Sequence, residues 1–537
     1  MPNALYYGDN LDVLRNSVPS KSVDLIYLDP PFNSRASYNV LFRSPTGEGS
    51  SAQIEAFEDS WHWNESAERA FDDVMAGPNS DAAVMLRAMR AGLGENDMMA
   101  YLTMMAVRLA ELHRVLKPSG SIYLHCDPVA SHYLKIIMDS LFGAEGFRTE
   151  VIWKRTHAHG NVTRAYGDVT DTILYYTKGP AFTWNQQFKA LTPEQMEAKY
   201  RNSDADGRRW QSVTLRNPGV RPNLHYPYTA SNGVTYQPHP NGWSCNQDRL
   251  ERYDREGRLH YPSTPTGALR LKMYADESGG ERLQSLWEDI PPIGAQAAER
   301  LGYPTQKPLL LLERIVATSS SEGDVVLDPF CGCGTAVVAA QKLRRQWIGI
   351  DITHLAVNLI ESRLKAAFPG IAFNVIGVPM DEAGARDLAS RDKHEFQKWI
   401  TGRIGAQPYK GGKKGMDRGV DGYLHFRDAD QKPQFAIVSV KGGGTKSGDV
   451  RDLKGTVDRE EAAMGLFLTL HEPTREMVRE AAAANFYETG GMRFPKVQIL
   501  TAAEVIAGKR PQVPFGFTEG FKKAVREAST AQSKMKL

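Results

Sequence analysis

The sequence predicts an α/β protein with a largely parallel sheet, a long insertion within it and a separate α/β domain after it. Three observations carry this. Short apolar runs ending at acidic residues alternate with stretches of helical spacing over the first 182 residues. A segment of different composition, residues 183–302, interrupts that alternation, which resumes at Pro308. A third stretch, beyond residue 380, carries its own strand and helix signals and most of the surplus positive charge.

Val23-Asp24-Leu25-Ile26-Tyr27-Leu28 reads as a buried strand ending at Asp29, where two prolines forbid its continuation. Tyr101 to Leu116 has apolar residues at helical spacing, and Pro118-Ser119-Gly120 reads as a turn. Ser121 to His125 is a second strand, His132 to Phe142 a helix, and Val151-Ile152-Trp153 and Thr172 to Tyr176 are further strands. After the interruption, Leu309 to Ser319 is helical and Asp324 to Leu327 is a strand. Ala336 to Leu343 is a helix, Gln346 to Ile350 a strand ending at Asp351, and Ile352 to Phe368 a helix. Strands that alternate with helices imply parallel pairing. The interruption is rich in Arg, Tyr, Trp, Asn, Gly and Pro, as in Arg208-Arg209-Trp210 and Asn241-Gly242-Trp243, and has weak periodicity. So long an irregular segment inside an α/β domain has its own job.

The composition excludes several classes. No apolar run approaches bilayer length, and Met1 to Asn10 has no apolar signal core, so a cytoplasmic protein is expected. Cys126, Cys245, Cys331 and Cys333 are too few and too scattered for a disulfide framework. No second Cys/His pair completes a zinc site around Cys331 and Cys333. Net charge is +2, but its distribution is uneven. Residues 381–537 hold 27 basic against 21 acidic side chains, the rest of the chain 38 against 42. Within that tail Lys410, Lys413, Lys414 and Arg418 form a cluster that suits phosphate or plain solvated surface.

Two motifs carry chemistry. In the second, a strand runs into Asp328-Pro329-Phe330-Cys331-Gly332-Cys333-Gly334-Thr335, then a helix and a strand ending at Asp351. This is how a sheet binds an adenosine-containing cofactor, with glycines admitting the ligand to the backbone and an acid for the ribose. Val337 stands where a dinucleotide fingerprint wants its third glycine. A nicotinamide-dependent dehydrogenase would explain this motif alone. The first motif, Asp29-Pro30-Pro31-Phe32, stands at the carboxyl end of a buried strand. Its prolines donate no hydrogen bonds, so Asp29 and the Pro30 carbonyl form a stiff pair of acceptors for the two N–H bonds of an exocyclic amino group. That draws the nitrogen lone pair out of conjugation, and Phe32 offers a face on which a flipped-out base stacks. A dehydrogenase gives no reason for this motif. A non-catalytic DNA-binding protein would explain the insertion and the basic tail but needs no cofactor cleft.

Together the two motifs resemble the amino-methylating DNA methyltransferases, which make N6-methyladenine or N4-methylcytosine. The catalytic motif precedes the cofactor motif, and the insertion lies between them. This order resembles the β group of that family, a circular permutation of the Rossmann-like sheet of S-adenosylmethionine-dependent methyltransferases. Gly8-Asp9, Arg114 to Gly120 and Thr305-Gln306-Lys307-Pro308 extend the likeness over residues 1–380. The resemblance implies a methyltransferase core in two halves, 1–182 and 303–380, around a target-recognition region at 183–302. It implies catalytic roles for Asp29, Pro30, Pro31 and Phe32. Asp328, Phe330, Gly332, Gly334 and Thr335 would cradle the methionine part of S-adenosylmethionine, and Asp351 would bind the ribose. Asp9 would bind the adenine, with Thr305 and Lys307 near the methionine carboxylate. Asp at the first catalytic position favours adenine over cytosine. Double-stranded DNA, a homodimer and a restriction-system partner are the expected associations. His125 is assigned no catalytic role, because direct methyl transfer needs no strong general base.

In residues 390–537, Asp421 precedes a strand that ends in Ser439-Val440-Lys441. An acid followed by a buried strand ending in x-x-Lys resembles the restriction-endonuclease-like (Mrr-type) fold, whose pattern has a second acid two residues before the lysine, where this chain has Ser439. Glu395 on the preceding helix is a second candidate carboxylate, so Glu395, Asp421 and Lys441 are the candidate residues of a Mg²⁺ site. An active nuclease, a degenerate nuclease fold kept for DNA binding or dimerisation, and an unrelated α/β domain are the three readings of this region.

Overall fold

The computed structural model describes residues 3–31, 37–43, 49–58, 63–157, 166–264, 267–294, 296–301, 303, 305–409 and 419–514, with 37–43 and 49–58 as backbone only. Phe32 and the Lys410, Lys413, Lys414 and Arg418 cluster lie outside the described residues. The chain divides into two compact units, one of which is Gln186–Gln284.

In the larger unit the core is a nine-stranded sheet. Its strands are β1 (Ala4–Tyr7), β2 (Val23–Leu28), β3 (Leu116–Cys126), β4 (Phe147–Lys154), β5 (Thr170–Thr177), β6 (Leu286–Trp287), β7 (Val325–Asp328), β8 (Gln346–Asp351) and β9 (Asn374–Ile376). They lie in the order β6-β4-β5-β3-β2-β7-β8-β1-β9. Every pairing is parallel except those of β5, which runs against both β3 and β4. Apolar residues buried on both faces are what a helix-covered sheet requires, and Leu25, Ile26, Tyr27 and Leu28 are all buried. The first strand of the chain sits between β8 and β9, which are its last two in this sheet, so the circular permutation is visible in the strand order. From β7 the chain moves to one side, to β8. From β2 it moves to the other, to β3. The carboxyl ends of β2 and β7 therefore flank a topological switch point, where open α/β sheets open a crevice.

Pro118-Ser119-Gly120, expected as a turn, lies inside β3. Val23 pairs with Leu116 while Leu25 pairs with Ser121, so residues 117–120 bulge from the ladder. Lys117 Nζ holds the bulge by bonding both oxygens of Asp24 at 2.7 Å. The strand resumes beyond it because Ile122, Leu124 and Cys126 still have a core to enter.

Residues 382–506 form the C-terminal domain around a five-stranded sheet, in the order Gln407–Pro408, Gly422–Arg427, Pro433–Lys441, Met464–Thr469, Val497–Thr501. The last three strands are mutually parallel. One apolar cluster runs from Val357, Ile360 and Leu364 of the cofactor half through Phe396, Trp399 and Ile400 to Leu424 and Phe426 of this domain.

The Gln186–Gln284 unit has its own antiparallel four-stranded sheet, of Leu259–His260, Arg270–Tyr274, Arg209–Thr214 and Asn202–Ser203. A small core of Leu215, Tyr228, Trp243, Leu250, Leu259 and Leu269 supports it. Ser285 to Leu301, which the sequence groups with the insertion, belongs to the larger unit, where Leu286 and Trp287 pair with β4. Among the described residues no helix is long and apolar enough to cross a membrane.

Candidate active site

A cavity of about 690 Å³ opens at the carboxyl ends of β1, β2, β7 and β8, within the usual range of roughly 300–1,000 Å³ for a small-ligand site. Asp9, Asp29, Pro30, Pro31, Thr305, Lys307, Asp328, Phe330, Gly332, Thr335 and Asp351 all line it. Two motifs some 300 positions apart in sequence thus meet because β2 and β7 pair, Leu25 with Val326 and Ile26 with Leu327.

Each polar group has a definite setting. Lys307 Nζ donates to Asp29 Oδ2 at 2.6 Å, and both side chains are largely buried. The pair fixes one carboxylate oxygen of Asp29 at the cavity wall. Asp328 closes β7 with its side chain buried, and the Phe330 N–H donates to it at 3.1 Å. Desolvation, reinforced by Asp29 and Asp351, pushes this carboxyl well above the usual carboxylate range. Asp351 accepts from the Gly332 N–H at 2.9 Å and from the Thr353 N–H and hydroxyl at 2.9 and 2.8 Å. Burial still outweighs those donors and raises its pKa to about 6. Neither Asp328 nor Asp351 forms an ion pair among the described residues.

Gly334 does not line the cavity. It caps the helix Thr335–Lys342 in the left-handed region, at φ 75°, and an added Cβ would lie 2.8 Å from Ile360. Gly332 also has positive φ, 49°, and a Cβ there would press on the Tyr303 ring. Thr305 adopts φ 59°, which turns the chain sharply into Lys307-Pro308 at the cavity wall.

Asp9 caps the helix Asn10–Ser17 through the Leu11 N–H and takes a bidentate bond from Arg108 at 2.8 and 2.9 Å. Arg108 Nε also donates to Asn10, which in turn donates to the Pro329 carbonyl. Arg108 and Asn10 therefore clamp the first helix to the cofactor turn. Sequence reasoning missed both. The available signal was a lone arginine inside the apolar run Met104 to Leu109. Burial draws the Arg108 pKa below the usual guanidinium value even beside Asp9. His125 is fully buried under the floor of the site. The Tyr27 hydroxyl meets its Nδ1 at 2.9 Å, and its Nε2 meets Asp171 at 3.0 Å.

S-adenosylmethionine carries a cationic methionine end and ribose hydroxyl donors, and the buried carboxyls of Asp328 and Asp351 suit the first and the second. Asp328, Asp351 and the positive-φ turn between them would hold it, and it supplies an electrophilic methyl group.

The C-terminal candidates are not brought together. Gln397 Nε2 donates to Asp421 Oδ1 at 2.8 Å, and the Val440 N–H to Asp421 Oδ2 at 2.6 Å. Residues two apart on a helix point to roughly opposite sides. Glu395 accordingly faces away from Asp421 and bonds the Tyr7 hydroxyl at 2.9 Å. With Ser439 at the second acid position and Lys441 at the strand end, these residues do not fit a Mg²⁺ site.

The model of the N6/N4 methyltransferase family, described as "DNA methylase", matches residues 23–362. A second model, "NACHT-associated inactive Restriction Endonuclease 1", matches residues 393–506. Type II methyltransferase M.EcaI of Enterobacter cloacae is 29% identical over 365 residues, covering 68% of this chain and 69% of its own. The Mod subunit of the Type III restriction-modification enzyme StyLTI of Salmonella typhimurium is 27% identical over 357 residues, covering 64% of this chain and 50% of its own. This chain thus spans half the length of that subunit. The solved M1.HpyAVI–SAM complex overlaps 67% of this chain and 98% of its own at 15% identity, with a TM-score of 0.32. With a family match covering more than half its length, and with both motifs on one cavity, the chain belongs to the N6/N4 family of DNA methyltransferases.

Proposed function

We propose that this protein methylates the N6 amino group of adenine at specific sites in double-stranded DNA, using S-adenosylmethionine, in the cytoplasm and beside a restriction partner. The observation that carries the reading is the Lys307–Asp29 ion pair on the wall of the cofactor cavity. Held by Lys307 through one oxygen, Asp29 has the other available for one N–H of the target amino group. The Pro30 carbonyl accepts the second. Both bonds localise the nitrogen lone pair, and the rigid Pro30-Pro31 backbone keeps the acceptors in place without competing donors. Phe32 would stack on the flipped base. Asp351 would take the ribose hydroxyls, Asp328 the cationic end of the methionine, and Thr305 would border its carboxylate. Asp9 acts at the adenine end, through the Arg108 clamp. The Gln186–Gln284 unit, with Arg208, Arg209 and Arg249 among aromatic side chains, is the reader of DNA sequence. The Mod-subunit relative supports a restriction partner, and a homodimer rests on the family resemblance. We read the C-terminal domain as a nuclease-like fold that does not cleave.

The test is transfer of labelled methyl to duplex DNA, followed by nucleoside analysis by mass spectrometry. N6-methyladenine is expected, N4-methylcytosine would replace the adenine assignment, and no transfer by the parent would overturn the whole reading. Asp29→Ala should slow transfer by about 10²–10³-fold, as loss of one aimed hydrogen-bonding group does in other enzymes. With Mg²⁺ and methylated or unmethylated DNA, intact DNA is expected. Cleavage that disappears in Lys441→Ala would establish a nuclease instead.

A further inference from the structure

We propose that the C-terminal domain is part of the cofactor site, with Glu395 as a positioning residue for the strand ends that hold the adenosine. The inference rests on the cofactor assignment above.

Glu395 lies on the first turn of the helix Lys393–Arg403, which opens the C-terminal domain. Its Oε2 accepts from the Tyr7 hydroxyl at 2.9 Å and stands 3.8 Å from His354 Nε2, while Oε1 accepts from Lys398 at 2.9 Å. The Tyr7 and His354 rings stack at 3.7 Å between centroids, 12° from parallel. Both residues adjoin cavity-lining residues in the chain. Tyr7 ends β1 and is followed by Gly8 and Asp9, which line it. His354 begins a helix just after Asp351, Ile352 and Thr353, which also line it. The Gly8 N–H bonds the Asp351 carbonyl at 3.0 Å, so the two strand ends already move as a pair. Glu395 fastens that pair from the far side.

The setting is costly for a merely structural contact. His354 is buried and neither ring nitrogen forms a hydrogen bond among the described residues. Burial lowers its pKa to about 4 despite the nearby carboxylate. Glu395 keeps its charge in a half-buried position through Lys398 and Tyr7. Elsewhere the same helix packs conventionally. Gly402 admits Asn358 so closely that a Cβ would come within 2.5 Å of its amide, and Arg403 bonds Glu361 at 3.1 Å. Arg403 meets Glu361 about two turns along the helix that His354 begins, and neither residue lines the cavity, which makes Arg403 an internal control.

Calorimetric binding of S-adenosylmethionine to the full-length protein tests the proposal, with kcat and KM for methyl transfer measured alongside. Tyr7→Phe removes one hydroxyl and keeps the stacked ring. It and Glu395→Ala should each weaken cofactor binding about two- to thirtyfold, the range of single-residue couplings, with kcat at saturating cofactor unchanged. Arg403→Ala should lower Tm and leave cofactor affinity alone. Parental affinity in Tyr7→Phe overturns the proposal, as does an equal loss in Arg403→Ala, which would mean general loosening. Should Glu395→Ala fail to fold, Tyr7→Phe decides alone. A parent that binds no cofactor, or an Asp351→Ala variant that binds it normally, would instead remove the underlying site assignment.

Discussion

Asp351 and Lys307 illustrate how single residues in this site acquire properties that their identity does not supply. Asp351 holds its proton up to about pH 6 because burial outweighs three hydrogen-bond donors. Ribose hydroxyls donate to the ionised form, so cofactor affinity should fall as pH drops below about 6. Calorimetry between about pH 5 and pH 8 checks this, and Asp351→Asn should flatten the dependence. An unchanged affinity across that window would place Asp351 outside the ligand shell. In the cofactor-free protein the sign reverses. The raised carboxyl adds stability that is complete below the ordinary carboxylate pKa and lost as pH rises through about 6. At this scale the site was legible where chemistry requires a residue type. Asp29, Asp328 and Asp351 stand in two recognisable motifs at strand ends, and all three line the cavity. Arg108, Asn10 and Tyr303 could not, since their contribution is a contact with a distant segment and no local pattern announces it.

At the scale of elements, the turn from β7 into the helix Thr335–Lys342 is the most constrained piece. Gly334→Ala must strain a φ of 75° and push its Cβ against Ile360 at 2.8 Å. A loss of about 1–3 kcal/mol is expected, read as a lower denaturation midpoint, and an unchanged midpoint would show that the turn can relax. Periodicity identified the helix Leu309–Ser319 and the strands around both motifs, because each has a buried face that repeats. It missed β1, whose four residues are too few to show alternation. It read Pro118-Ser119-Gly120 as a turn because bulge and turn use the same residues. On the helix Lys393–Arg403, sequence singled out Glu395 as a metal ligand. The helical repeat gives that side of the helix to Gln397 and sends Glu395 to Tyr7.

At the scale of the whole molecule, one apolar cluster joins the cofactor half to the C-terminal domain through Phe396, Trp399 and Ile400. A chain ending at residue 380 would lack the part of that cluster which Phe396, Trp399 and Ile400 supply. It should aggregate or melt well below the full-length protein, by differential scanning calorimetry, and equal stability would make the shared cluster dispensable. Circular permutation also belongs to this scale. It leaves the strand order intact while reversing which motif is met first, and function survives because the switch point depends on pairing and not on chain order.

The sequence by itself determined the two motifs, their order and the α/β alternation, hence a methyl-transfer site on a permuted sheet. These follow from local rules: strand burial, proline and glycine geometry, and the need for an acid at a strand end. Tertiary structure alone decided that Lys307 holds Asp29, that Arg108 holds Asp9, and that Glu395 accepts a hydrogen bond from Tyr7. Each of these is a contact between residues 99 to 388 positions apart. Long-range contacts of this kind are set by how β1, β2, β7 and β8 line up, and no short window of sequence contains that information.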